Sequence, residues 1–199
     1  MKIILASKSP RRKEILSLIT TDFEIRSEDV DERAIEDAVL GAGGSADEVQ
    51  KQLALKKAEA VFNALPDGQK DEYIVIGADT SVVCDGQILG KPADKADARR
   101  MLTMLSGKTH EVITGVCVKT SRTEDVFTDT TKVRFGDLDK YQTDLIERYI
   151  NTDEPYDKAG AYGIQQGGAL LVETVEGDYF NVVGLPARKL SQVLDKLLM

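Results

Sequence analysis

Apolar positions along the chain alternate between short solid runs and helical spacing. Ile3-Ile4-Leu5-Ala6, bounded by Lys2 and Ser7, predicts a short buried strand. Ser9 then suits an N-cap and Pro10 the first helical position, with Ile15, Leu16 and Ile19 on one face. Phe23-Glu24-Ile25 predicts a second strand, followed by an acidic segment over residues 27–32 and a flexible break over residues 41–45. A helix is expected over residues 46–64, with Val49, Leu53, Ala60 and Val61 on its inner face.

Residues 73–78 form a continuous apolar run, the pattern of a central strand covered on both faces. The run leads through Asp79-Thr80 into residues 81–84, and Asp85-Gly86 predicts a tight hairpin turn into residues 88–90. Asp94 can cap a helix that turns Ala98, Met101, Leu102 and Leu105 inward and ends at Gly107. Two strands follow near residues 112–119 and 126–135, then a helix over roughly residues 138–150. A long polar loop covers residues 151–168, strands are expected at 170–175 and 179–183, and an amphipathic helix at 187–198. No repeat or linker interrupts the series, so the pattern predicts an α/β (mixed α+β) fold, with one main sheet and residues 1–199 as a single domain.

Charge narrows the functional classes. The chain carries a formal net charge of −8, a poor match to nucleic-acid backbones or anionic membranes. No apolar run approaches the roughly 20 residues that a membrane helix needs, and residues 3–6 are too short for a signal-peptide core. The two cysteines, Cys84 and Cys117, lie in apolar strands without metal-ligand spacing, as expected of buried thiols in a reducing cytoplasm. Any phosphate bound here needs a local cluster of cations in an acidic protein, which points to a small polyphosphate rather than a polymer.

Ser7-Lys8-Ser9-Pro10-Arg11-Arg12 offers such a cluster at a strand-to-helix turn. A helix N-terminus carries about half a positive charge, so two arginines in its first turn fit a bound anion or, equally on shape alone, solvated surface charge. Asp79, at the end of an apolar strand, is either a turn former or a functional carboxylate at a strand's carboxyl end, and sheet topology favours the second. Lys91 is ordinarily an exposed turn lysine, but it is also placed to face a cleft there. The run of acidic residues 28–32 reads as a solvated loop, although one of its carboxylates with Asp79 and substrate phosphates suffices for Mg²⁺. Gln165, in the long loop, offers a donor and an acceptor to a base edge. The single histidine, His110, has neither a nucleophile elbow nor a cysteine partner, and reads as structural.

Four strings, SKSPRR (residues 7–12), GADTSVVCDGQILGKP (77–92), LSGKTHEVITG (105–115) and EPYDKAGAYGIQ (154–165), occur in this order over nearly the whole chain. Together they resemble the Maf family of nucleotide pyrophosphatases, and DKAGAYGIQ resembles the subgroup acting on dTTP and UTP. The resemblance implies a Maf/ITPase-like fold of two lobes with an active cleft between them. It also implies hydrolysis of a nucleoside triphosphate, dTTP, UTP or a modified pyrimidine nucleotide, to monophosphate and pyrophosphate, with Mg²⁺ or Mn²⁺, in the cytoplasm. Matching residue by residue, it implies that Asp79 activates water and holds the metal with Glu32. Arg11, Thr80 and Gln165 fall on specificity positions. Ser7, Ser9, Arg12 and Lys91 fall on phosphate contacts, and Lys57 is a further one.

One departure stands out: Gln166 occupies a position where the family commonly has glycine, so a positive φ there would strain the turn after Gln165. The expected partner is a nucleotide, with no nucleic acid or membrane, and a homodimer is the default for a soluble enzyme. A role as a nucleotide-sensing regulator of cell division and septum formation, with incidental hydrolysis, is the alternative. An RNA-binding module fits poorly with the acidic charge.

Overall fold

The computed structural model describes residues 1–198. Its strands are β1 (Lys2–Leu5), β2 (Phe23–Ile25), β3 (Tyr73–Cys84), β4 (Gln87–Leu89), β5 (Thr109–Lys119), β6 (Glu124–Phe135) and β7 (Val172–Glu176). The α-helices are α1 (Pro10–Ser17), α2 (Glu32–Gly41), α3 (Ala46–Asn63), α4 (Lys95–Leu105), α5 (Lys140–Tyr149), α6 (Tyr179–Val183) and α7 (Ala187–Leu198). The sheet is mixed, in the order β2-β1-β3-β5-β6-β7, with β4 paired to β3. The chain divides into two compact units, one of residues 1–79, 114–129 and 184–198, the other of residues 80–113 and 130–183. The division cuts the GADT string between Asp79 and Thr80.

In the first unit β1 runs parallel to both β2 and β3, with Leu5 opposite Ile76. The backbone pairing continues through the Ala6 N–H, which donates to the Ile76 carbonyl at 2.8 Å. Ser7 therefore leaves the carboxyl end of β1, whereas Asp79 lies inside β3, just past its last pairing with β1 and not at a strand end as the sequence suggested, because β3 runs on to Cys84. Helix α3 covers this pair at very close range. A Cβ on Gly77 would lie 2.2 Å from the Ala54 carbonyl oxygen, and one on Gly115 would lie 2.1 Å from that of Gln50. Gln50 and Ala54 are one turn apart, so two glycines make the seat into which the helix backbone sinks. Ala54, Ala58, Val61 and Phe62 then pack with Ile4, Val75 and Cys117 in a continuous apolar core.

The second unit buries Val82, Leu89, Leu102, Leu105, Phe135, Ile146, Tyr162 and Leu171 around its own core. The β3–β4 hairpin turns on Asp85 (φ +50°) and Gly86 (φ +76°), the pair of positive φ angles that an Asp-Gly type I′ turn demands. Caps fall where side-chain chemistry puts them: the Ser9 hydroxyl accepts from the Arg12 N–H and Asp94 from the Asp97 N–H.

Helix α2 is absent from the sequence reading, which has a solvated segment running into it. Asp31 caps it by accepting the Ala34 N–H, and the helix has no fully buried residue, with Ile35 and Val39 half-buried one turn apart. Residues 179–183 form α6 rather than a strand. Asn181 is fully buried there and donates to the Val112 carbonyl and to Thr131 Oγ1, each at 3.0 Å. Within and just beyond the long loop, residues 154–157, 159–161 and 166–171 form short 3-10 helices, so the strand expected from residue 170 begins at Val172.

Candidate functional site

The Ser7–Arg12 turn of the first unit is built from three short-range constraints. Ser7 is buried at the end of β1, and its Oγ accepts from the Ser9 N–H at 3.2 Å. Ser9 caps α1, and Pro10 starts that helix with its ring in place of an otherwise unpaired N–H. Arg12 is half-buried and held at two points: Nε donates to the Gly184 carbonyl at 2.9 Å, and Nη1 reaches Ser7 Oγ at 3.3 Å. Burial lowers its pKa, Asp79 raises it, and the Arg11 charge lowers it further. An arginine pinned in this way presents a fixed charge to a ligand, with little rotamer freedom left to lose. Arg11 is also half-buried, close enough to Arg12 for their charges to oppose each other.

Beside this turn stand two carboxylates and one ammonium. Lys57 Nζ lies 2.5 Å from Asp79 Oδ1 and 2.6 Å from Glu32 Oε1. The Lys57 and Asp79 side chains are each only 16% exposed, whereas Glu32 is 55% exposed. Each partner is delivered by a different local cause. Asp79 follows the buried run of β3. Lys57 lies one turn beyond Ala54, where α3 sinks onto Gly77, and Glu32 is the first residue of α2, aligned by the Asp31 cap.

These neighbours make a charged Asp79 affordable despite its burial. Arg12 interacts electrostatically with both Asp79 and Glu32, which ties the cation turn to the carboxylate pair. Ser7, Ser9, Arg11, Arg12, Glu32, Lys57 and Asp79 thus share one neighbourhood of the first unit.

A divalent cation fits this donor set. Glu32 and Asp79 already converge on a single positive centre, the Lys57 ammonium, and both supply hard oxygen. Among the described residues no group of three or more His, Cys, Asp or Glu is disposed to hold a metal. Mg²⁺-type sites need only one or two carboxylates, which share the ion with water and substrate phosphates.

The remaining candidates belong to the second unit. Thr80 is half-buried in β3, Lys91 is exposed just beyond β4, and Gln165 is half-buried before the 3-10 turn of residues 166–171. Gln166 has φ +53°, so the residue in place of glycine does sit in the left-handed region. His110 is 1% exposed, with Nε2 2.7 Å from the Tyr162 hydroxyl, and burial pushes its pKa down to about 4. It is a neutral interior imidazole.

Two contributors escaped the sequence reading. The Gly184 carbonyl, which orients Arg12, acts through its backbone and leaves no side-chain signal. Gly77 seats α3, and a glycine inside an otherwise apolar strand was the available sign of a close backbone approach.

The Maf-like protein family model matches residues 2–197. The dTTP/UTP pyrophosphatase of Thermotoga maritima is 45% identical over 194 residues, covering 98% of this chain and 88% of that protein. The dTTP/UTP pyrophosphatase of Thermosipho africanus is 48% identical over 195 residues, covering 98% and 92%. The Bacillus cytotoxicus protein of the same name is 46% identical over 193 residues, covering 97% and 94%.

Proposed function

The chain belongs to the Maf family, and on that premise we propose that it hydrolyses dTTP and UTP to the monophosphate and pyrophosphate. The observation that supports this most directly is the convergence of Asp79, Glu32 and Lys57 beside the Arg12–Ser7–Ser9 turn, just past the point where β1 and β3 cease to pair. Phosphoanhydride hydrolysis needs neutralised phosphate charge, an oriented water and a base, and this cluster offers cations for the first and carboxylates for the other two without a histidine.

Arg12 receives phosphate oxygens as a fixed, two-point-anchored guanidinium, and the Ser7 and Ser9 hydroxyls line the same turn. Asp79 accepts the proton of the attacking water while the α–β anhydride opens and pyrophosphate departs. Lys57 bridges Asp79 and Glu32 and holds both carboxylates in place. Mg²⁺ or Mn²⁺, held by Glu32 and Asp79, supplies the remaining charge neutralisation on the phosphates. On the family resemblance alone, Lys91 neutralises phosphate charge and Arg11, Thr80 and Gln165 discriminate the base. A Gln carboxamide can accept from N3–H and donate to O4 of thymine or uracil, the reverse of what cytosine presents. The regulator alternative gains nothing from the relatives, whose names describe enzymes.

The test is a panel of nucleoside triphosphates with Mg²⁺ or Mn²⁺, with separate readouts for pyrophosphate and orthophosphate. Pyrophosphate release with dTTP and UTP preferred, abolished by chelation, is expected. Orthophosphate as the only product, or turnover undiminished after exhaustive chelation, contradicts the mechanism.

A further inference from the structure

The segment that carries Gln165 is strained at both ends and pinned between them. Ala161 has φ +60° and Gln166 φ +53°, conformations that side chains other than glycine rarely adopt. Gly160, with φ +66°, has no room for a side chain, since a Cβ would meet Val82 at 2.9 Å. Three consecutive anchors follow. Tyr162 is buried with its hydroxyl 2.7 Å from His110 Nε2, the Gly163 N–H donates to the Tyr149 hydroxyl at 3.2 Å, and Ile164 is buried. Gln165 comes next in the chain. Backbone strain persists only where the surroundings over-determine it, and these anchors are what hold it here.

The first anchor is the costly one. His110 packs edge-on against Phe135 and Tyr162, with ring centroids 5.1 and 5.4 Å away, and its Nδ1 is buried with no partner. An apolar residue would fill this place without leaving a nitrogen unpaired. What a histidine adds here is the single bond to Tyr162. Burial keeps the ring neutral over the ordinary pH range, so this bond does not change its form there.

We propose that His110 and Tyr162 are positioning residues for Gln165, and that their buried hydrogen bond sets the enzyme's choice among pyrimidine bases. The proposal rests on Gln165 contacting the base. A carboxamide presents its oxygen and its NH₂ in one order to a 4-oxo pyrimidine, and in the other order to cytosine after a half-turn. Selectivity by a glutamine therefore depends on how firmly the backbone beneath it is held. Without the Tyr162 bond, Ala161 is free to relax from positive φ and Gln165 follows.

The test compares dTTP and dCTP in the wild type and in Gln165→Ala, Tyr162→Phe and His110→Leu/Tyr162→Phe variants, with melting curves for each. Tyr162→Phe removes one oxygen and keeps the ring. It is expected to raise KM for dTTP about five- to tenfold, to leave kcat within about twofold and to narrow the dTTP/dCTP ratio of kcat/KM correspondingly. The double variant has no unpaired imidazole, so it should regain melting temperature relative to Tyr162→Phe without regaining selectivity. Selectivity that returns together with stability assigns the pair a packing role alone and overturns the proposal. So does unchanged selectivity in Tyr162→Phe when Gln165→Ala has lost it. Full selectivity in Gln165→Ala removes the base-contact reading itself, and the proposal with it.

Discussion

Asp79 lies where an unpaired carboxylate would be costly, inside a largely buried strand, and it is paired with Lys57 at 2.5 Å with Arg12 nearby. Its proposed work is proton acceptance, which a carboxamide cannot do. Asp79→Asn should fold, because Lys57 retains Glu32 at 2.6 Å, yet lose about a thousandfold in kcat for dTTP. Circular dichroism with steady-state kinetics checks both halves, and wild-type turnover in the purified, metal-loaded variant would remove Asp79 from the mechanism.

The two arginines of the opening turn differ in how they are held. Arg12 is anchored to the Gly184 carbonyl and to Ser7, so Arg12→Ala should lower kcat/KM by a similar factor for every nucleotide. Arg11→Ala should instead change the ratios among bases, as expected of a specificity position. Uniform losses in both variants, measured over dTTP, UTP, dCTP and dGTP, would end this division of labour.

At the scale of elements, the decisive contact is α3 on β3. The helix brings Lys57 to Asp79 because its backbone sinks onto Gly77, leaving 2.2 Å between the Ala54 carbonyl oxygen and where a Cβ would stand. Gly77→Ala must push the helix outward, an overpacking that costs about 3 kcal/mol. The displacement also draws Lys57 from its carboxylates. Activity should therefore fall more than the folded fraction does, as urea denaturation and kinetics on the same preparation can measure. An activity loss that merely follows the folded fraction would mean that Lys57 is placed independently of this contact.

Elements also differ in how far they could be read in advance. Solid apolar runs, Ser and Asp caps and the Asp-Gly turn placed β1, β3, α1, α4 and the β3–β4 hairpin, because each rests on local sterics or a local hydrogen bond. Helix α2 has Ile35, Ala38 and Val39 at helical spacing, a signal that its acidic flank and lack of fully buried residues masked. The residues of α6 look like a strand, but Asn181 spends its amide on Val112 and Thr131 far along the chain, a tertiary demand that overrides propensity.

For the molecule as a whole, one buried group links stability to acidity. His110 has a folded-state pKa of about 4 against an ordinary value of 6.5. Between these values the unfolded chain binds a proton that the folded chain refuses, so stability rises with pH through this window and is lost as pH falls from 6.5 toward 4. The contribution reaches about 3 kcal/mol at the acid end. His110→Leu should flatten this limb, so that its stability relative to wild type improves steadily as pH falls in urea titrations between pH 7 and pH 4. Parallel stability curves for the two proteins would show that His110 does not titrate with unfolding.

Composition and order along the chain determined the acidic, globular character, the α/β class and the Maf motifs that mark Asp79, Arg11, Arg12 and Gln165. All of these depend on residue type, short-range spacing or the order of short strings, which a one-dimensional record keeps. Only the tertiary structure decided that Lys57 stands between Glu32 and Asp79, that Gly184 orients Arg12 across 172 positions, and that His110 reaches Tyr162 across 52. Contacts at such separation are set by how sheets and helices pack, where a glycine's missing Cβ or one backbone carbonyl matters as much as any charged side chain. Thus SKSPRR shows the charge at the opening turn, but the fold determines which charges meet it.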